Sequence, residues 1–407
     1  MQRHLAFVVA FLGLISPAFA QPVESFESFI KNFEATAVAA GVTHDTYAKA
    51  MYGLKPDANV PALVTAQPEF TTPLWDYIEK RVTEWRLDKG KEAIAQNQAL
   101  LTATGEKYGV DPYLLASIWG IETNYGRVLS DPQYIRPIIP SLATLVHQRR
   151  VRLEGDTADL IAALLLVQRG PLDATQLVGS WAGAIGHLQV NPSNVIKYGT
   201  DGDGDGAIDL QNSLADALAT SAVYIVGLGY KPGLEWGFEV DVPDGFDYLL
   251  ATRDQLRPIS FFTELGVKRV GGASFNDSSI PVFLYAPTGA KGPKFLMTNN
   301  YLILKGYNFS DSYAMAISHL EDRLQGRGEY VTAWPRDTKF PNLEQRRAIQ
   351  EALIKLGLYE GKLDGRIGPV SQAAYAKFQA SKGEVADGFI TLHSYEELVA
   401  AAAAAGQ

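Results

Sequence analysis

Residues 108–127 read YGVDPYLLASIWGIETNYGR, and they put a carboxylate on the apolar side of a helix. Asp111 before Pro112 is a helix start: a carboxylate to cap free N–H groups, then a proline whose fixed φ suits the first turn. From there Leu115, Ile118, Trp119 and Glu122 recur at helical spacing, so Glu122 shares a face with apolar side chains. Gly126 is the expected stop. A carboxyl on such a face loses hydration, and its pKa is expected to rise. That suits a general acid working near neutral pH. On spacing alone the plainer reading is preferred: a glutamate solvated at the helix edge or ion-paired with Arg127.

A chain of 407 residues has room for a large core and two or three domains. At 47% hydrophobic and 20% charged it has ordinary globular composition. The net charge of −9 and the lack of a basic run argue against nucleic-acid binding. Residues 1–20 read as a secretory signal: Arg3 at the positive end, a short apolar stretch from Leu5 to Ile15, and Ala18-Phe19-Ala20 as cleavage site. That stretch is too short to span a bilayer comfortably, so the mature chain is expected to begin at Gln21. The absence of cysteine excludes disulfides, thiol nucleophiles and a lipid-bearing N-terminal cysteine. The expectation is an exported chain with no lipid anchor and no transmembrane segment once mature.

In chain order, Gln21 to about Gly105 carries apolar residues at three- and four-residue spacing and reads as mainly helical. YGLKPDANVPALVTAQPEFTTP interrupts it as an irregular, proline-punctuated stretch. After the key helix come SLATLVHQRRVRLEG and DTADLIAALLLVQRG, the second with Asp156 as expected cap and Gly170 as stop. Asn212 to Gly229 is helical and carries Tyr224. Residues 235–300 contain alternating runs such as IPVFLYAP and PKFLMTNN, joined by Thr288 to Gly292, and read as an inserted antiparallel sheet. LKGYNFSDSYAMAISHLEDRL returns to helix, with Ser310 or Asp311 as cap. A proline-containing link at 334–341 leads to a small unit at 342–407, read as three helices punctuated by Asp364-Gly365 and Asp387-Gly388. The fold class expected is mainly α, with 21–333 as the main unit.

Two loops carry chemistry. GSWAGAIGHLQVNP, residues 179–192, is rich in small residues, and Gly183 and Gly186 allow close backbone approach. From composition alone a tight helix crossing is the better reading, with Ser180 and Gln189 as neutral donors and acceptors. DGDGDGAIDL places Asp201, Asp203 and Asp205 at alternating positions, then Gly206, Ile208 and Asp209, as in the first nine positions of an EF-hand-type loop. Hard oxygen ligands at that spacing suit Ca²⁺, with Ala207 offering its carbonyl. Asn212 stands where a bidentate Glu is expected, so Asp216 beyond the loop is a candidate to complete the shell. The competing reading is a flexible acidic turn, in which four aspartates would repel one another.

Five stretches in one order carry a resemblance: PEFTTPLWDYIEKRV, IWGIETNYGR, GSWAGAIGHLQVNPS, DGDGDGAIDL and NNYLILKGYNFSDSYAMA. From about Phe26 to Gln325 the chain resembles the B-type lytic murein transglycosylases, glycoside hydrolase family 103. Residues 342 to about 398 resemble the peptidoglycan-binding domain often attached to such enzymes, most closely in LGLYEGKLDGRIGPVSQAAYAKFQ. The resemblance implies a lysozyme-like helical core with one catalytic acid, here Glu122. It also implies a cleft lined by Tyr77, Ser180, Gln189, Tyr224, Tyr307, Asn308 and Tyr313; core packing is the competing reading for the tyrosines. Two departures touch the subsites. Val190-Asn191-Pro192 stands where the family more often has Phe-Met-Pro, and Gly306 where an Arg is frequent.

The implied substrate is the β-1,4 bond between N-acetylmuramic acid and N-acetylglucosamine in peptidoglycan. Glu122 would serve as acid and then as base, closing the C6 hydroxyl onto C1 to leave a 1,6-anhydro end. No cofactor is required for that chemistry, and Ca²⁺ would be structural. Such an enzyme is expected in the periplasm, as a monomer, with glycan strands as its partner and room for partners among cell-wall synthesis or division proteins. The alternatives are a water-using muramidase and a non-catalytic peptidoglycan-binding protein. A zinc peptidase is disfavoured, since the six His and no Cys show no HExxH spacing.

Overall fold

A computed structural model describes residues 24–65, 72–148, 153–170 and 172–405. The expected signal at 1–20 lies outside the described residues.

The acid-bearing helix, Pro112–Thr123, forms as its sequence directs. Asp111 accepts a hydrogen bond from the Tyr113 N–H at 2.7 Å, and Pro112 occupies the first turn. Leu115 and Ile118 are fully buried, and Trp119 is 4% exposed. Glu122 on the same face is half-buried. The helix ends three residues before Gly126, earlier than expected. Asn124, Tyr125 and Gly126 all have positive φ, at 50°, 59° and 82°. Asparagine tolerates that conformation, whereas Tyr125 is held in it by packing. Its ring fills space that only glycine leaves: a Cβ on Gly120 would lie 2.6 Å from it, and one on Gly90 would lie 2.3 Å from its hydroxyl.

Around this helix pack Glu84–Gln96, Gln98–Tyr108, Leu214–Gly227 and Asp311–Leu324, with Leu74–Arg81 against the last of these, and together with the N-terminal helices they bury one large apolar core. Two further expectations change. Within the stretch expected to be irregular, Val60–Thr65 is helical, because Pro61 sits in its first turn where no N–H is needed. Asp156 does not cap its helix; it lies within the helix described from Leu153 to Arg169, almost fully buried.

Strands β1 (Arg136–Pro137) and β2 (Val178–Gly179) form a short antiparallel pair. The insertion supplies the larger sheet from β3 (Gly237–Asp241), β4 (Arg257–Pro258), β5 (Lys268–Arg269), β6 (Pro281–Tyr285) and β7 (Lys294–Met297). Its order is β4-β6-β7-β3-β5, every pair antiparallel, with a core of its own around Phe238, Ile259, Phe262 and Leu284.

Residues 342–405 hold three helices, Leu343–Lys355, Pro369–Ser381 and Leu392–Ala405, around Ile349, Leu353, Tyr375 and Leu398. The two Asp-Gly turns are built alike. Gln350 accepts from the Gly365 N–H and Gln379 from the Gly388 N–H, each at 2.8 Å, while their amides donate to Asp364 and Asp387. The link before this unit is packed down. Trp334 and Phe340 lie against Trp75, at 6.3 and 5.7 Å between ring centroids. Asp387 accepts from the Ala290 N–H at 2.9 Å, which joins the three-helix unit to the β-rich insertion.

Candidate active site

Glu122 lies in the last turn of the acid helix, and Oε1 accepts a hydrogen bond from the Tyr313 hydroxyl at 2.5 Å. Tyr313 stands in the first turn of Asp311–Leu324, whose N-cap Ser310 accepts from the Tyr313 N–H. Burial first, then the Glu122 charge, pushes the Tyr313 hydroxyl well above its ordinary pKa, so it remains a donor. Tyr307 and Tyr77 also lie near enough to act on Tyr313 electrostatically. Tyr307 donates to the Leu188 carbonyl at 2.7 Å, and Ser221 Oγ is 3.2 Å from its hydroxyl. The Tyr224 ring packs against it, tilted by 39° with the centroids 5.1 Å apart.

The glycine-rich loop forms the neighbouring wall. It is a run of turns rather than a helix crossing, closed by an Ile185–Val190 bridge. Ser180 Oγ accepts from the Ala184 N–H at 3.2 Å. Gln189 has φ of 52°, and its side-chain amide is turned back to the Gly186 carbonyl at 2.9 Å. Gly186 is required: a Cβ there would lie 2.1 Å from the Leu210 carbonyl oxygen.

Glu122, Tyr307 and Tyr313 therefore come together, with Tyr224 and the Leu188–Gln189 turn packed beside them. Asn308 follows Tyr307 at the corner between two helices and is half-buried. Tyr77, Tyr224 and Tyr313 are 4%, 7% and 2% exposed, so they offer a ligand edges more than ring faces.

A family model described as transglycosylase SLT domain matches residues 25–322. The chain belongs to this lytic transglycosylase family. A second model, described as putative peptidoglycan binding domain, matches residues 342–392. SltB3 from Pseudomonas aeruginosa, solved in complex with NAG-anhNAM-pentapeptide, is 36% identical. That alignment covers 92% of this chain and 99% of SltB3, with a TM-score of 0.85. Membrane-bound lytic murein transglycosylase B of Escherichia coli strain K12 is 27% identical over 270 residues, 65% of this chain and 71% of its own. Slt35 of Escherichia coli, solved in complex with calcium, shares the fold with a TM-score of 0.60 at 24% identity over 74% of this chain and 92% of Slt35. The fold class of this lytic transglycosylase is the expected one: a helical catalytic core, a small antiparallel insertion and a three-helix C-terminal unit.

In this lytic transglycosylase the acidic loop gathers Asp201, Asp203 and Asp205, with carboxylate oxygens within 4.8 Å of one another. Backbone N–H groups of Gly204 and Gly206 donate to Asp201, and Gly206 leads the causes that hold its carboxyl below the ordinary range. Such a set of hard oxygens fits a calcium-sized cation. Asp209 is not brought to that cluster. Its oxygens accept from the N–H groups of Gln211 and Asn212 and from the Asn212 amide. Asp216, almost fully buried, accepts from the Gly202 and Asp209 N–H groups at 2.8 and 2.7 Å, and closes the loop from behind.

Three supports escaped the sequence reading. Trp119 donates to His187 Nδ1 at 3.0 Å, which puts the neutral ring's proton on Nε2. Thr123, next to the acid, donates to the His187 carbonyl at 2.7 Å. Arg86, 8% exposed, donates to Asn124 and to the Arg81 carbonyl and so clamps the left-handed turn after Glu122. No spacing marks the Trp119–His187, Thr123–His187 and Arg86–Asn124 pairs, because their members lie far apart in the chain.

Proposed function

We propose that this lytic transglycosylase cleaves the β-1,4 bond between N-acetylmuramic acid and N-acetylglucosamine, with Glu122 as the acid and then the base. Protonated Glu122 gives its proton to the glycosidic oxygen. The C1–O bond breaks, and its electron pair goes to the departing sugar. Positive charge develops at C1 of the muramic sugar, and the acetamido oxygen of that sugar closes onto C1. Ionised Glu122 then takes the proton of the C6 hydroxyl as its oxygen displaces the acetamido group. The product carries a 1,6-anhydro ring, and no water is consumed. The observation that carries this reading is the Tyr313 hydroxyl donating to Glu122. That donor orients the carboxyl and favours its ionised form when it must act as base. Glu122 lies near tyrosines, and the sequence offers no second carboxylate at a motif position, which fits a route that needs no protein nucleophile.

Ser180, Gln189 and Asn308 would hold sugar hydroxyls or the acetamido group, with Tyr77, Tyr224 and Tyr307 shaping the cleft. Residues 342–405 would keep the enzyme on polymeric glycan. Asp201, Asp203 and Asp205 would hold Ca²⁺, with the Ala207 carbonyl and Asp216 as further candidates; the ion would stabilise the loop. The enzyme would act in the periplasm after cleavage at Ala20; among the described residues no helix is long and apolar enough to cross a membrane. Incubation with purified sacculi tests the reading: soluble fragments with anhydro ends support it, and fragments with reducing ends overturn it.

A further inference from the structure

The β-rich insertion reaches the helix that bears Tyr313 through a half-buried ion network. Asp311 is the first residue of the helix that carries Tyr313, where a carboxylate also meets the favourable end of the helix dipole. Three side chains from two segments converge on it. Arg253, from the loop before β4, places Nη1 2.8 Å from Oδ1 and 3.0 Å from Oδ2. Tyr301 donates to Oδ1 at 2.7 Å, and Lys305 to Oδ2 at 3.0 Å. Both come from Asn299–Tyr307, the helix that ends on Tyr307.

Arg253 is itself fixed. Its guanidinium carbon lies 4.6 Å from the Tyr285 ring centroid and 5.7 Å from that of Phe283, both on β6. Its side chain is 17% exposed, that of Asp311 is 24% exposed, and Tyr301 is fully buried. Burial would raise the Asp311 carboxyl, yet Arg253, followed by Lys305, holds it below its ordinary value. The pair is therefore charged, and a charged pair at low exposure is rigid in a way a surface pair is not.

We propose that Arg253 is a positioning residue for catalysis: by gripping Asp311 it fixes the corner between the two tyrosine-bearing helices, and so holds the Tyr313 hydroxyl on Glu122. The insertion is then a brace for the acid and not only an appended subdomain. Lys305 shares the task but lies on one of the helices being joined. Arg253 brings the sheet's charged contact to Asp311, while Phe283 and Tyr285 on β6 pack on the Tyr301 ring at 6.2 and 6.0 Å.

This inference rests on Glu122 being the acid, and a double-mutant cycle tests it on soluble glycan strands. Arg253→Met keeps the stem and leaves Asp311 its bonds to Lys305 and Tyr301, so the fold is retained, which a melting curve checks. The expected result is a fall in kcat of about tenfold with KM within about twofold, since a lost orientation of the acid acts in the transition state. In a Tyr313→Phe background the same substitution should cost less than about twofold, because the group it positions is already gone. Arg253→Lys should restore part of kcat. Arg257→Met, in the same insertion but stacked on Phe261, should leave kcat unchanged. An unchanged kcat in folded Arg253→Met overturns the inference, as does an equal loss in both backgrounds. Rates are read on total fragments, so reducing ends would overturn the anhydro reading alone.

Discussion

The Tyr313 hydroxyl lies 2.5 Å from Oε1 of Glu122, joining the first turn of one buried helix to the last turn of another. A hydrogen bond to a charged group contributes about 1.5–3 kcal/mol, and about 1.4 kcal/mol is a factor of ten. Tyr313→Phe should therefore lower kcat by roughly 10- to 100-fold while KM changes little. Steady-state kinetics on soluble glycan strands checks this. A variant with wild-type kcat would mean that the contact does not bear on the reaction.

Filling the acidic loop should stabilise the fold by mass action, by about 2.7 kcal/mol at a free ion concentration a hundred times Kd. Adding chelator to calcium-loaded protein should lower Tm. Asp201→Ala should remove the difference between loaded and stripped samples, because Asp201 is also the residue that organises the loop backbone. Equal melting curves for loaded and stripped wild type would dismiss the loop as a site.

Stability should carry a pH signature from Asp322. Burial raises its carboxyl to about 6, against the pull of Arg327. The folded state then binds more protons than the unfolded chain between about pH 4 and pH 6, so this group's contribution falls as pH rises through that window. A rise of that size corresponds to about 3 kcal/mol. Asp322→Asn removes that loss. The stability of the variant relative to wild type should rise by about that amount between pH 4 and pH 7, as read by denaturant unfolding at each pH. A difference that does not depend on pH would refute the assignment.

Much of the fold was legible because it is written in short-range patterns. The Asp111-Pro112 start, the alternating strands of the insertion and the two Asp-Gly turns each depend on neighbours in sequence. The helix end was misplaced because Gly126 is the familiar stop, while Asn124 and Tyr125 adopt positive φ only through tertiary packing. Asp156 was misread for a similar reason, since an aspartate before an apolar run looks like a cap whether or not the helix has already begun. Glu122 and the tyrosines gathered near it are named through family-like motifs. The contacts of Arg86 with Asn124, His187 with Trp119 and Arg253 with Asp311 are not, because each joins residues distant in the chain and no local signal distinguishes such a group from an ordinary polar side chain.

Removing residues 342–407 should weaken retention on sacculi and spare cleavage of small soluble fragments. It should also lower Tm, since the Ala290 N–H loses Asp387 as its acceptor and Phe340 loses its packing on Phe389. Sedimentation with sacculi and a fragment assay separate the two effects. Loss of both binding and cleavage would show the three-helix unit to be part of the catalytic fold.

The most direct test is mass spectrometry of the soluble products from purified sacculi, wild type beside Glu122→Gln. The wild type should release fragments one water lighter than hydrolysed ones, and the variant should release none while still binding. Fragments of that mass from Glu122→Gln, or ordinary reducing ends from the wild type, would contradict a single glutamate acting as acid and then base.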